Sequence, residues 1–238
     1  MIRTLTFAAS AAVLTASVPA SAMTNFASYS PLTNAANLIF TPGANGTGTV
    51  ASVAGAPVTF RFLNAAGTQS VFDTAATFAL STTTQPGAIF GSTAIASTNA
   101  GTISFTALNP VSYLGHTGTN LLTAVFSGAT FAATIGGSVA SLFTSQPPSM
   151  VTFTSDFLRF GGTTERDISI AIDAINPKVG VGRNGLGSFS GSSAGLFGAL
   201  GGSGSPSAVP EPAAWLLMVA GFGLVGTMRR RATASVAA

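Results

Sequence analysis

The chain has 238 residues, of which only 6% are charged, 47% are hydrophobic and none is cysteine. The missing thiols exclude thiol catalysis, thiolate metal sites and disulfide staples. The formal net charge of +3 sits in the two ends, because between Met23 and Val209 five cations (Arg61, Arg159, Arg166, Lys178, Arg183) balance five anions (Asp73, Asp156, Glu165, Asp167, Asp173). That neutral interior carries no electrostatic footprint for nucleic acid.

In chain order, the first element is an export signal. Arg3 precedes an apolar stretch from Leu5 to Val18, and Ala20-Ser21-Ala22 follows it. This is the charged, apolar and small-residue layout of a secretory signal peptide over residues 1–22. Ala20 and Ala22 are small enough for the pockets of signal peptidase, so cleavage is expected after Ala22. The alternative is an uncleaved anchor helix.

Residues 23–184 show apolar and polar side chains alternating with period two, the pattern of strands buried on one face. Val58, Phe60 and Phe62 alternate in this way, as do Ile103 and Phe105, then Phe131, Ala133 and Ile135. Val151 and Phe153 follow, and then Ile168, Ile170 and Ile172. β-Branched and aromatic residues suit strands. Turn signals separate the runs: Thr41-Pro42-Gly43, Asn45-Gly46, Ala66-Gly67, Gln85-Pro86-Gly87, Asn109-Pro110, Gly136-Gly137, Pro147-Pro148 and Gly161-Gly162. Short strands with frequent turns predict a single all-β domain, a β-sandwich or jelly roll. Val71 to Leu80 admits a short helix. About 160 residues can bury a core without staples.

Catalytic groups are scarce. His116, in Tyr113-Leu114-Gly115-His116-Thr117-Gly118, is the sole histidine, so no multi-histidine metal site can form. Serines abound, so any match to a Gly-x-Ser-x-Gly elbow is cheap and carries no triad by itself. Asp156, Glu165, Asp167 and Asp173 are the acidic cluster. Asp167 and Asp173 would share one face of a strand about 20 Å apart, too far for a glycosidase pair. Asp156 could approach Glu165 or Asp167 across a turn at Gly161-Gly162. The preferred reading makes Glu165, Arg166 and Asp167 a solvated turn beside Arg159. No Asp-rich loop of regular spacing offers a Ca²⁺ site. The expectation is no enzyme, no cofactor and no metal. Sugar stacking on exposed aromatics is weakly served, since this region has no Trp and only Tyr29 and Tyr113.

From Gly185 to Ala208 the composition turns to glycine and serine and reads as a flexible linker. Residues 209–233 then place Pro210, Glu211 and Pro212 ahead of an uncharged run from Ala213 to Met228, closed by Arg229, Arg230 and Arg231. A helix over 213–228 would span about 24 Å against a hydrocarbon core of about 30 Å. Snorkelling arginines and local thinning accommodate the difference. Trp215 suits the opposite interface, and the arginines are held in the cytoplasm by the positive-inside rule.

Pro210-Glu211-Pro212, Trp215, Gly221-Phe222-Gly223 and Arg229 to Arg231, in that order, resemble the PEP-CTERM sorting signal in its PEPxxWA variant. Leu216 stands where that variant usually has Ala. The resemblance covers about the last 25 residues. It implies recognition of Pro210, Glu211 and Pro212 by an exosortase, cleavage near them, and delivery to the envelope or matrix of a Gram-negative bacterium. It makes Trp215, Gly221, Phe222, Gly223 and the three arginines the membrane anchor and stop. The expected function is that of an exported, non-enzymatic cell-surface or extracellular-matrix protein associated with exopolysaccharide. A carbohydrate-binding module is the alternative, and an envelope hydrolase a weaker one. Expected partners are signal peptidase, exosortase, the membrane and exopolysaccharide.

Overall fold

The computed structural model describes residues 23–200 except 34, 65, 145–148, 162, 164, 183 and 184. The expected signal peptide with Ala20 and Ala22, and the tail with its expected sorting motif and apolar run, lie outside the described residues. Among the described residues no helix is long and apolar enough to cross a membrane.

The fold is all-β, built on one large antiparallel sheet. Its strands are β1 (Thr24–Pro31), β2 (Leu38–Pro42), β3 (Gly48–Ser52), β4 (Ala56–Leu63), β5 (Ser70–Thr84), β6 (Ala88–Phe90), β7 (Thr93–Tyr113) and β8 (His116–Ser127). They continue as β9 (Thr130–Thr134), β10 (Ala140–Phe143), β11 (Met150–Thr154), β12 (Glu165–Asn176), β13 (Val181–Gly182), β14 (Gly185–Leu186) and β15 (Phe189–Leu200), with β13 and β14 paired as a separate two-stranded sheet. The alternating side chains fall as expected, except that Ile135 lies just past the end of β9 and is only half-buried. Val58, Phe60, Phe62, Ile103, Phe105, Phe131, Ala133, Val151, Phe153, Ile168, Ile170 and Ile172 are all buried.

The pairing returns to its start. β5 pairs β7, β7 pairs β9, β9 pairs β10 and β10 pairs β12. β12 pairs β15, β15 pairs β2, β2 pairs β3 and β3 pairs β5. One half of the sheet is therefore a closed ring of strands without an edge, the arrangement that best removes unpaired backbone. In the other half the path runs β8, β7, β5, β4, β1, β15, β12, with β11 added outside β8. There β11 and β12 face each other without a ladder, leaving a seam.

The core is aromatic. In the closed half, Phe40 stacks on Phe131 and Phe189 at centroid distances of 5.5 and 5.2 Å. In the middle, Tyr29 of β1 contacts Phe105 of β7 at 4.8 Å and Phe78 of β5 at 5.0 Å. Toward the seam, Phe26 meets Phe153 and Phe160 at 5.2 and 5.1 Å.

The sequence expectation fails in three places. The linker expected from Gly185 is instead strand through Leu200, and β15 lies between β12 on one side and β1 with β2 on the other. Its glycines are demanded by neighbours rather than by freedom. A Cβ on Gly195 would stand 2.7 Å from Tyr29 Cε1 and 3.0 Å from the Ser169 carbonyl oxygen, and one on Gly191 would stand 2.8 Å from Ile172 Cγ2. The helix admitted at Val71 to Leu80 is strand β5, because its apolar positions alternate inward and pair with β4 and β7. Asn109-Pro110 makes no turn between strands. It falls in a bulge of β7, where the register with β8 jumps between Thr106 and Val111 and the ladder tolerates a residue without N–H.

β1 pairs β15 only from Gly195 onward, and β2 pairs it only up to Gly191. Asn37 fills the gap between them. Its side-chain oxygen accepts from Ser193 N at 2.7 Å and its Nδ2 donates to the Ser193 carbonyl at 3.1 Å. A buried side-chain amide thus replaces a missing strand residue and satisfies both backbone groups. Residues 23–200 carry one continuous buried core and a sheet closed in one half, the attributes of a domain that folds by itself.

Candidate functional site

The groups that could carry chemistry are dispersed, and most have a structural partner. Asp156 follows β11 and reaches β8, where its Oδ2 accepts from Thr119 N at 2.9 Å and Asn120 N at 2.8 Å. Gly118 clears the space, since a Cβ there would run into the Asp156 carboxylate. Asp167 Oδ1 accepts from the Thr144 hydroxyl at 3.1 Å, and Thr144 Oγ1 in turn accepts from Ile168 N at 2.9 Å. Asp156 and Asp167 therefore serve different elements and do not converge.

The solvated-turn reading of Glu165, Arg166 and Asp167 is corrected. All three begin β12, and Arg166 is half-buried. Its Nη1 donates to the Val151 carbonyl of β11 at 3.0 Å, its Nη2 to the Phe160 carbonyl at 2.9 Å and its Nε to Thr163 Oγ1 at 2.7 Å. A planar fork of donors bridges the seam where no ladder exists. Arg159, expected beside this group, is exposed on the preceding loop. Asp173 is exposed on the outer wall of β12. Arg61 pairs with Asp73 at 3.5 Å and donates to Ser30 Oγ at 2.8 Å, a surface pair of small energetic consequence.

His116 is exposed and opens β8, paired with Tyr113 across a two-residue turn. Leu114 and Gly115 both have positive φ, 51° and 79°, which is the primed turn of a tight hairpin. Tyr29 is fully enclosed. Burial pushes its phenol well above the ordinary tyrosine range, and its 3.0 Å hydrogen bond to Ser193 Oγ offsets this only in part. No group of three His, Cys, Asp or Glu able to hold a metal occurs among the described residues.

Two depressions stand out among the described residues. One is an open trough at the seam end, lined by Phe153, Thr154, Ser155, Leu158, Arg159, Phe160 and Gly161, as much polar as apolar. The other is a shallow apolar cleft at the opposite end, of about 60 Å³, between Phe40, Ile89, Ala94 and Leu186. A third feature was not anticipated. Outward positions of β5, β7, β8 and β11 form ranks of small hydroxyl side chains: Thr77 beside Thr106, Ser104 beside Thr123 and Thr154, and Ser81 beside Thr102. The alternation that located the strands also contained this face, in the polar half of each pattern. Pro210, Glu211, Pro212, Trp215, Gly221, Phe222, Gly223, Arg229, Arg230 and Arg231, expected to form a sorting signal, lie outside the described residues. No protein-family model, curated protein or solved structure matches this chain.

Proposed function

We propose that this chain is an exported, non-enzymatic surface or matrix protein whose tail is a sorting signal read and cut by an exosortase. The carrying observation is the order Pro210-Glu211-Pro212, Trp215, Gly221-Phe222-Gly223 and Arg229 to Arg231, matched at the other end by Arg3, the apolar stretch and Ala20-Ser21-Ala22. In this reading signal peptidase removes residues 1–22, and 213–228 spans the inner membrane until cleavage releases the body to the envelope or beyond. In fold terms the sheet is a flattened β-sandwich, a reading supported by ring contacts between β1 and β7 and between β2 and β9.

β15 ends at Leu200, so nine residues separate it from Pro210, a reach of at most about 30 Å. Replacing Pro210, Glu211 and Pro212 by Ala should leave export intact and abolish processing. Fractionation with an epitope near Ser203 should then find an uncut, inner-membrane form. Equal size and location of the two proteins would refute the sorting reading.

A second reading, binding of neutral exopolysaccharide, is favoured by the uncharged hydroxyl ranks on β5, β7, β8 and β11. Pull-down of the body with the cell's own polysaccharide tests it.

A further inference from the structure

At the closed end of the sheet, four turns are laced together by backbone hydrogen bonds. Ile135 N donates to Ser92 O at 2.8 Å, Gly136 N to Val179 O at 2.7 Å, Val179 N to Gly137 O at 3.1 Å and Gly187 N to Gly180 O at 2.8 Å. Their polar backbone is thus largely tied up within the protein. Their side chains are not. Phe90 at the tip of the β6–β7 hairpin is 66% exposed, Ile89 beside it 52%, Val181 46% and Val139 45%. The shallow cleft between Ile89, Phe40 and Leu186 continues this apolar end inward. Exposed apolar side chains grouped in this way mark a binding surface.

Charge indicates the partner. Among the described residues of 85–92, 134–139 and 177–187 the one charged side chain is the cation of Lys178, and none is a carboxylate. Lys178 is exposed beside Val179, next to the laced turns, while Asp173 stands further back on the wall of β12. The apolar groups project from turn tips, and the cleft is far smaller than the roughly 300 Å³ of an ordinary ligand pocket. Projecting aromatic and aliphatic tips with a flanking cation are complementary to an anionic, deformable surface.

We propose that this end of the body docks on an anionic lipid bilayer, with Phe90 and Ile89 entering the headgroup boundary and Lys178 facing lipid phosphate. The proposal is independent of the tail reading. β12 runs from Glu165, paired with Leu200, to Asn176 at the laced turns, so the docking end lies about 35 Å along the strands from Leu200.

The test uses residues 23–200, which lack the apolar tail. The body should sediment with vesicles of phosphatidylcholine and phosphatidylglycerol, and less with phosphatidylcholine alone. Replacing Phe90 and Ile89 together by Ser should weaken binding roughly tenfold or more, as loss of two buried apolar side chains requires. Lys178→Glu should weaken it less, and salt should diminish that part. The body has no tryptophan, so Phe90→Trp reports directly, and its emission should shift to the blue on anionic vesicles. Absence of sedimentation with mixed vesicles, or an unshifted emission, would overturn the proposal. So would lipid-free dimerisation that the Phe90 and Ile89 double substitution abolishes, because the surface would then belong to a second copy.

Discussion

Around β2, β3, β9 and β10 the strands complete a circle by backbone hydrogen bonds, whereas between β11 and β12 the circle is interrupted. The two halves use different chemistry. The closed half needs close approach, and it is built with small residues: Gly48 against Phe40, Gly191 against Ile172, and alanines at 94, 96, 133 and 140 turned inward. The interrupted half contains Asp156, Arg159, Glu165, Arg166 and Asp167. Arg166 there takes carbonyls of β11 and its loop, and Asp156 takes two amides of β8. Charged side chains stand in for backbone pairing that the topology does not supply. An acidic cluster in the sequence therefore resolves into separate fasteners. If this contrast is right, the closed half should be broken by volume and the seam by loss of hydrogen bonds.

The largest effect is expected from Gly191→Val, in the closed half. Its branched side chain meets Ile172, Ile175 and the Asp173 carbonyl oxygen. Overpacking of this kind costs about 3 kcal/mol. The urea midpoint should fall accordingly, while a flexible linker at this position would leave it unchanged.

Arg166→Met comes next. The stem keeps its packing, but the Val151 and Phe160 carbonyls lose their donor. Unsatisfied, partly buried groups of this kind cost about 2 kcal/mol. Amide exchange should quicken in β11 and the 155–163 loop and stay slow in β9 and β10. Uniform acceleration through both halves would show that the seam is not a separate weak point.

Tyr29→Phe probes the junction between the halves. The substitution leaves Ser193 Oγ without its phenol partner, at a cost of about 1 kcal/mol near neutral pH. The folded protein holds the Tyr29 proton more tightly than the unfolded chain does. Stability from this group is therefore complete below the unfolded pKa of about 10 and is lost as pH rises above it. Wild type should weaken in strong base, and the Phe variant should weaken less steeply. Parallel slopes above about pH 10 would contradict the burial of this phenol.

The regions differ in legibility for the same physical reason. Strands whose inward residues are large, such as Val58-Phe60-Phe62 or Ile168-Ile170-Ile172, announce themselves by contrast in hydropathy. β15 alternates only from Phe189 through Gly191 to Ser193 and then buries Phe197, Gly198 and Ala199 in a row, and its inward residues are mostly small. Glycine and serine are also what a linker contains, so composition masked the period. The role of Arg166 was hidden because it depends on two strands failing to pair, which no local pattern records. The tight turn before His116 was readable as an exposed loop, but not as a primed hairpin, because Leu114 is an unusual occupant of positive φ.

That occupant supplies the smallest prediction. Leu114 adopts φ 51° with its side chain 64% exposed, so it endures backbone strain without compensating burial. A non-glycine residue in this region costs about 1–2 kcal/mol, and Asn relieves part of it through local hydrogen bonding. Asn-Gly is also the preferred pair for this turn. Leu114→Asn should therefore stabilise the body by about 0.5–1 kcal/mol and raise its melting temperature by a few degrees. The gain should appear as slower amide exchange near Tyr113 and His116, at the seam end, with β2, β3, β9 and β10 unchanged. A loss of stability would mean that Leu114 packs on a neighbour and that the strain is compensated.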